Sequence, residues 1–139
     1  MEISLVRRRL TETIERAKKQ AAERRGRSDQ ASRDFEVFLQ KIAVPHFRQV
    51  ANALKADGYM FTVFTPSGSV RLMSDRAADD YIEISLDTAD DPPRVMGRTS
   101  RTRGSRVIDI ERAIGAPDAL TDEQLLDFLL KELEAFVER

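Results

Sequence analysis

Residues 94–106, Arg-Val-Met-Gly-Arg-Thr-Ser-Arg-Thr-Arg-Gly-Ser-Arg, place five arginines in thirteen positions, the densest chemical signal in the chain. A guanidinium presents a planar fork of donors that matches the two oxygens of a phosphate or carboxylate. The interleaved Thr and Ser hydroxyls add neutral hydrogen-bonding groups. Gly104 marks a turn, so Arg94, Arg98, Arg101, Arg103 and Arg106 are expected on a hairpin. Such a hairpin would enter a nucleic-acid groove or hold an acidic segment of a partner protein. The competing reading is a solvated edge hairpin whose charge discourages sheet-to-sheet aggregation. Six acids lie just upstream: Asp79, Asp80, Glu83, Asp87, Asp90 and Asp91. With a sequence pI of about 5.9, that balance favours an acidic protein partner over nucleic acid.

Other residue types capable of chemistry lack the spacing for it. His46 is the only histidine, and no set of carboxylates stands near it at metal-ligand spacing. Set between Ile42 and Val50 on a helix, it is expected as a partly buried structural residue, with a general base as the lesser alternative. Ser67-Gly68-Ser69 has neither the G-x-S-x-G elbow nor the glycine spacing and lysine of a phosphate loop; a hairpin turn accounts for it. The acidic run lacks the alternating ligands, central Gly and closing Glu of a calcium loop. Instead Arg94, Arg98 and Arg101 follow it across an antiparallel turn, where unlike charges stand side by side. With no cysteine in the chain there is no disulfide, thiolate nucleophile or cysteine metal site. The usual acid–base and nucleophile constellations are absent, so no enzymatic activity, metal or cofactor is expected.

The elements that would carry these residues follow from hydrophobic period. Ile3, Val6, Leu10, Ile14, Ala17 and Ala21 recur at spacings of three and four, a narrow stripe on a charged helix. With Glu12, Glu15, Arg16 and Lys19 of both signs as its neighbours, the stripe reads as a helix-pairing seam and hence an oligomer interface. A helix laid along its own domain is the alternative. Gly26 is expected to end this helix, making residues 1–27 an arm on a domain of residues 28–139. A second helix starts near Asp29 or Ser32, carries Phe35, Phe38, Leu39, Ile42, Phe47, Val50 and Leu54, and should kink near Val44 because of Pro45. Strands follow at 59–64, 70–73, 81–86, 94–100 and 106–110, joined by short turns and so paired antiparallel as a meander. Thr121-Asp122-Glu123-Gln124 has the form of a capping box, with Leu120 and Leu125 placed as a hydrophobic staple, and opens a last helix. The expected fold is α+β: two N-terminal helices, a five-stranded antiparallel meander sheet and a C-terminal helix packed on one sheet face. Helices flanking an antiparallel sheet in this order resemble, at the level of layout, small bacterial secretion chaperones and adaptor domains.

Composition narrows the function classes. The 139 residues suit one domain able to bury a core. Aromatic residues make up only 6% with no Trp, leaving few stacking platforms for exposed bases. Neither the N-terminus nor any later stretch is apolar enough for a signal peptide or a bilayer span, so a cytoplasmic protein without membrane contact is expected. The net charge of −1 conceals a gradient: residues 1–27 hold nine Arg/Lys against four Glu, whereas 117–139 hold seven acids against Lys131 and Arg139. A molecule polarised in this way favours head-to-tail or partner contacts. The expectation is a non-enzymatic interaction module acting as a homo-oligomer, with a nucleic-acid-associated protein as the alternative.

Overall fold

A computed structural model describes residues 1–138. Helix α1 runs from Ile3 to Phe38, a π-helical segment follows at Leu39–Ala43, and α2 continues from Val44 to Ala56. The five strands are β1 (Phe61–Phe64), β2 (Ser69–Ser74), β3 (Tyr81–Asp87), β4 (Arg94–Arg103) and β5 (Arg106–Gly115), and α3 spans Asp122–Val137. The fold is α+β. No helix among the described residues is long and apolar enough to cross a membrane.

One N-terminal helical rod replaces the two helices expected. Gly26 does not end it, because its φ is not in the left-handed region that a glycine C-cap adopts. A glycine inside a helix costs only about 1 kcal/mol relative to Ala, which the flanking helix formers can absorb. The break comes at the π segment, where the Val44 amide donates to the carbonyl of Leu39, five residues back. Two causes meet there. Pro45 has no amide hydrogen for the carbonyl of residue 41. In addition, the buried residues Phe35, Leu39, Ala43 and Phe47 recur every four positions, and each such step drifts about 40° round a regular α-helix. One widened turn takes up the surplus and keeps all four on the core side.

The strands pair antiparallel in the order β1-β2-β3-β4-β5. Register sets Val70, Ile84, Gly97 and Arg112 in one row, and Leu72, Ile82, Thr99 and Ile110 in the next, on one face. Arg71, Glu83, Arg98 and Glu111 form a row on the other face. Strands β4 and β5 run longer than their apolar runs because the Gly104 turn, at φ +64°, joins them so tightly that Arg103 faces Arg106. The core gathers Phe35, Phe38 and Phe47 with the inward strand residues and with Leu125, Leu129 and Leu133 of α3. Phe136 meets Phe61 edge to face at 6.0 Å. Both capping-box bonds form: Thr121 Oγ1 accepts from the Gln124 amide at 3.2 Å, and Gln124 Oε1 accepts from the Thr121 amide at 3.0 Å. Leu120 and Leu125 beside them are buried.

Candidate interaction surfaces

The five arginines of 94–106 divide between the two faces of the sheet. Alternation sends Arg94 and Arg98 to the face with Arg71 and Glu83. Both are engaged there. Arg94 pairs with Asp90 at 3.0 Å. Arg98 bonds to Asp109 through its Nε at 3.0 Å and through its Nη2, and its Cα neighbours across the ladder are Glu83 and Glu111. The hydrogen bonds to Asp109 raise the Arg98 guanidinium further above its ordinary range and hold the Asp109 carboxyl below its own. Arg71 bonds to Glu83 at 2.6 Å and stacks 3.8 Å from the Tyr81 ring centre. This face is a lattice of alternating charge that satisfies itself.

Arg101, Arg103 and Arg106 occupy the opposite face near the Gly104 turn, and among the described residues no carboxylate forms an ion pair with them. Arg101 and Arg103 line a cleft of about 670 Å³ together with Arg76, Asp80 and Glu138. Asp80 is 1% exposed and accepts the Thr102 amide at 2.6 Å, while Ser100 Oγ donates to the carbonyl of Asp79 at 2.6 Å. Part of the acidic run thus fastens the 75–80 turn to β4. Among the described residues, three guanidiniums against two carboxylates give a mixed-sign cleft, suited to an anionic side chain or chain end rather than to a uniform polyanion. Arg76 escapes a linear reading because it lies far upstream and reaches the cleft only through the meander order.

Residues 3–26 of α1 carry no fully buried side chain; burial begins at Ala31. Of the expected oligomer stripe, Ile3 is 73% exposed, Val6 47%, Leu10 57% and Ile14 44%. Ala17 is exposed and Ala21 half-buried. The arm does not lie along its own domain. At its inner end Arg27 bonds to Asp91 through Nε at 3.0 Å and Nη2 at 2.6 Å. Those bonds raise the Arg27 guanidinium and lower the Asp91 carboxyl from their ordinary ranges.

An unbroken helix advances 100° per residue, and this corrects the charges assigned to the stripe. Glu12, Glu15, Arg16 and Lys19 are not its neighbours; they fall on the far side of the rod. Arg7, Lys18, Arg24 and Arg25 lie within about 80° of the stripe centre, while Glu12, Glu15 and Glu23 lie more than about 130° away. The apolar seam therefore has basic edges.

His46 donates from Nδ1 to the carbonyl of Ile42 at 2.9 Å and is half-buried on α2. No group of three or more potential metal ligands is assembled among the described residues. Comparison with family models, curated proteins and solved structures returns no match to this chain.

Proposed function

We propose that this chain is a non-enzymatic protein-interaction module, adaptor-like or chaperone-like, that works as a homo-oligomer through its N-terminal arm. The observation that carries the reading is the apolar stripe Ile3, Val6, Leu10 and Ile14, left in solvent on a helix that stands clear of the core. Helices in proteins draw most of their stability from packing an amphipathic face, and an uncovered apolar row gains free energy only when something covers it. Within this reading α2 and α3 cover the inner sheet face, supported by the close approach of Phe128 to Gly97. The Arg76/Arg101/Arg103 cleft is the second contact surface, with an acidic segment of a protein partner as its ligand, and the cytoplasm is the expected setting.

The test is solution mass by light scattering on the full chain and on a chain lacking residues 1–25. The deletion removes no buried side chain, so the remainder should still unfold cooperatively while an oligomer becomes a monomer. A full-length chain that is monomeric at high micromolar concentration defeats the proposal. A second reading, a nucleic-acid-associated protein, draws on Arg101, Arg103, Arg106 and the basic edges of α1. It requires binding to a random duplex that falls steeply with salt. No binding at low salt removes it.

A further inference from the structure

On the outer surface, α2 and α3 bound an apolar groove of about 390 Å³ floored by Val50, Ala53, Leu54, Leu126 and Leu130. Leu130 is 53% exposed at its centre. Turning 100° per residue round α3 sets Glu123, Asp127 and Glu134 along the solvent side of the Leu126–Leu130 row, and all three are exposed. Asp57 lies at the groove's α2 end. Arg48 and Lys55 project from the opposite side of α2; Lys131, exposed beside Asp127 and Glu134, offsets part of the rim and leaves it net acidic.

The arm and the groove are complementary in apolar character, length and net charge. One is an apolar row with Arg7, and Lys18 one turn further on, at its edges; the other is an apolar trough with a predominantly acidic rim. Ile3 to Ile14 spans about 17 Å of helix, and the thirteen residues of α2 run about 20 Å. Two copies of the arm paired seam to seam would instead bring basic edges together, which like-charge repulsion opposes. Because α1 continues unbroken into the domain, an arm cannot bend back to its own groove without melting helix.

We infer that the α2/α3 groove receives the N-terminal helix of a second copy, with Ile3, Val6, Leu10 and Ile14 seated between Leu54 and Leu130. This rests on the reading that the arm mediates self-association and specifies where it binds. Reciprocal exchange covers the stripe and groove of both copies and closes the contact as a two-fold dimer, whereas one-way exchange would grow an open chain. The acidic rim steers the basic arm and sets which surface it chooses.

The absence of native cysteine makes the contact directly testable. Leu10→Cys and Leu130→Cys are prepared as separate full-length proteins of distinguishable mass, mixed, and treated with mild oxidant or a short bis-maleimide. Both positions are central, so they approach each other whichever way the arm runs. The expected product contains one copy of each variant, and Leu10→Cys alone gives little cross-link. Cross-linking of Leu10→Cys to itself shows arm against arm, which keeps self-association and overturns the groove. An oligomeric parent without cross-links overturns the groove as well, and a monomeric parent overturns both. As a second readout, the triple change Glu123→Lys, Asp127→Lys and Glu134→Lys should weaken association on the order of tenfold or more. Combining it with Arg7→Glu and Lys18→Glu should restore association. Charge reversal without effect on affinity refutes the docking.

Discussion

Gly97→Ala places one methyl group where the structure has no room for it. A Cβ built on Gly97 falls 2.4 Å from Phe128 Cζ, 2.6 Å from Cε1 and 3.1 Å from Cε2. The obstacle is an aromatic ring only 7% exposed, not the end of a flexible chain. The Arg112 guanidinium lies 5.6 Å from that ring's centre and bonds to Glu132, which also accepts the Thr99 hydroxyl at 3.1 Å. The ring therefore cannot move without disturbing a polar cluster. Two effects oppose each other. Replacing Gly restricts the unfolded chain and stabilises by about 0.4–1 kcal/mol where the native geometry tolerates it. Overpacking a well-filled core costs about 1–3 kcal/mol. The clash should win, for a net loss of about 1–2 kcal/mol. Urea unfolding monitored by circular dichroism should show a lower midpoint at unchanged slope. Phe128→Leu in the same chain should relieve part of the loss, a coupling of about 0.5–3 kcal/mol in a double-mutant cycle. A Gly97→Ala protein as stable as its parent, or strictly additive with Phe128→Leu, would refute the close approach of Phe128 to Gly97.

Gly26→Ala should act with the opposite sign, because a Cβ there meets nothing within 4 Å; helix content rises and the helix gains about 1 kcal/mol. Loss of ellipticity instead would mean that α1 ends at Gly26. Thr121→Ala removes the acceptor for the Gln124 amide and should cost about 1 kcal/mol, read as a shifted urea midpoint; an unchanged midpoint denies the cap any energetic role. Asp109→Asn tests the charge lattice. The folded carboxyl is held below its ordinary value, so its stabilisation is present above the unfolded pKa of about 3.9 and is lost as pH falls through the lower folded value. Both partners are substantially exposed, so the difference from the parent should be about 0.2–1 kcal/mol at neutral pH and shrink as the folded carboxyl becomes protonated in acid. A difference that persists in acid would assign the effect to packing instead.

Short-range physics is written openly in this chain. The capping box, the period-two strands and the tight turn at Gly104 each depend on a few neighbouring residues, so their types and positions are legible without a fold. Strand order was legible too, because connections this short permit only neighbouring antiparallel pairs. The stripe of α1 also follows from spacing alone. What the linear order conceals is whatever depends on direction or on distant neighbours. Gly26 matches a helix stop in composition, yet it stops nothing, since a stop needs a left-handed backbone that the surrounding helix does not impose. The arginines of 94–106 form one cluster in sequence, but the two-residue alternation of β4 divides them. Arg94 and Arg98 enter ion pairs, while Arg101 and Arg103 join Arg76 across the meander. The five leucines 125, 126, 129, 130 and 133 are more than one buried stripe of α3 requires. Only packing decides that Leu125, Leu129 and Leu133 enter the core and that Leu130 is left outside, because which side of an apolar helix is buried depends on what lies against it.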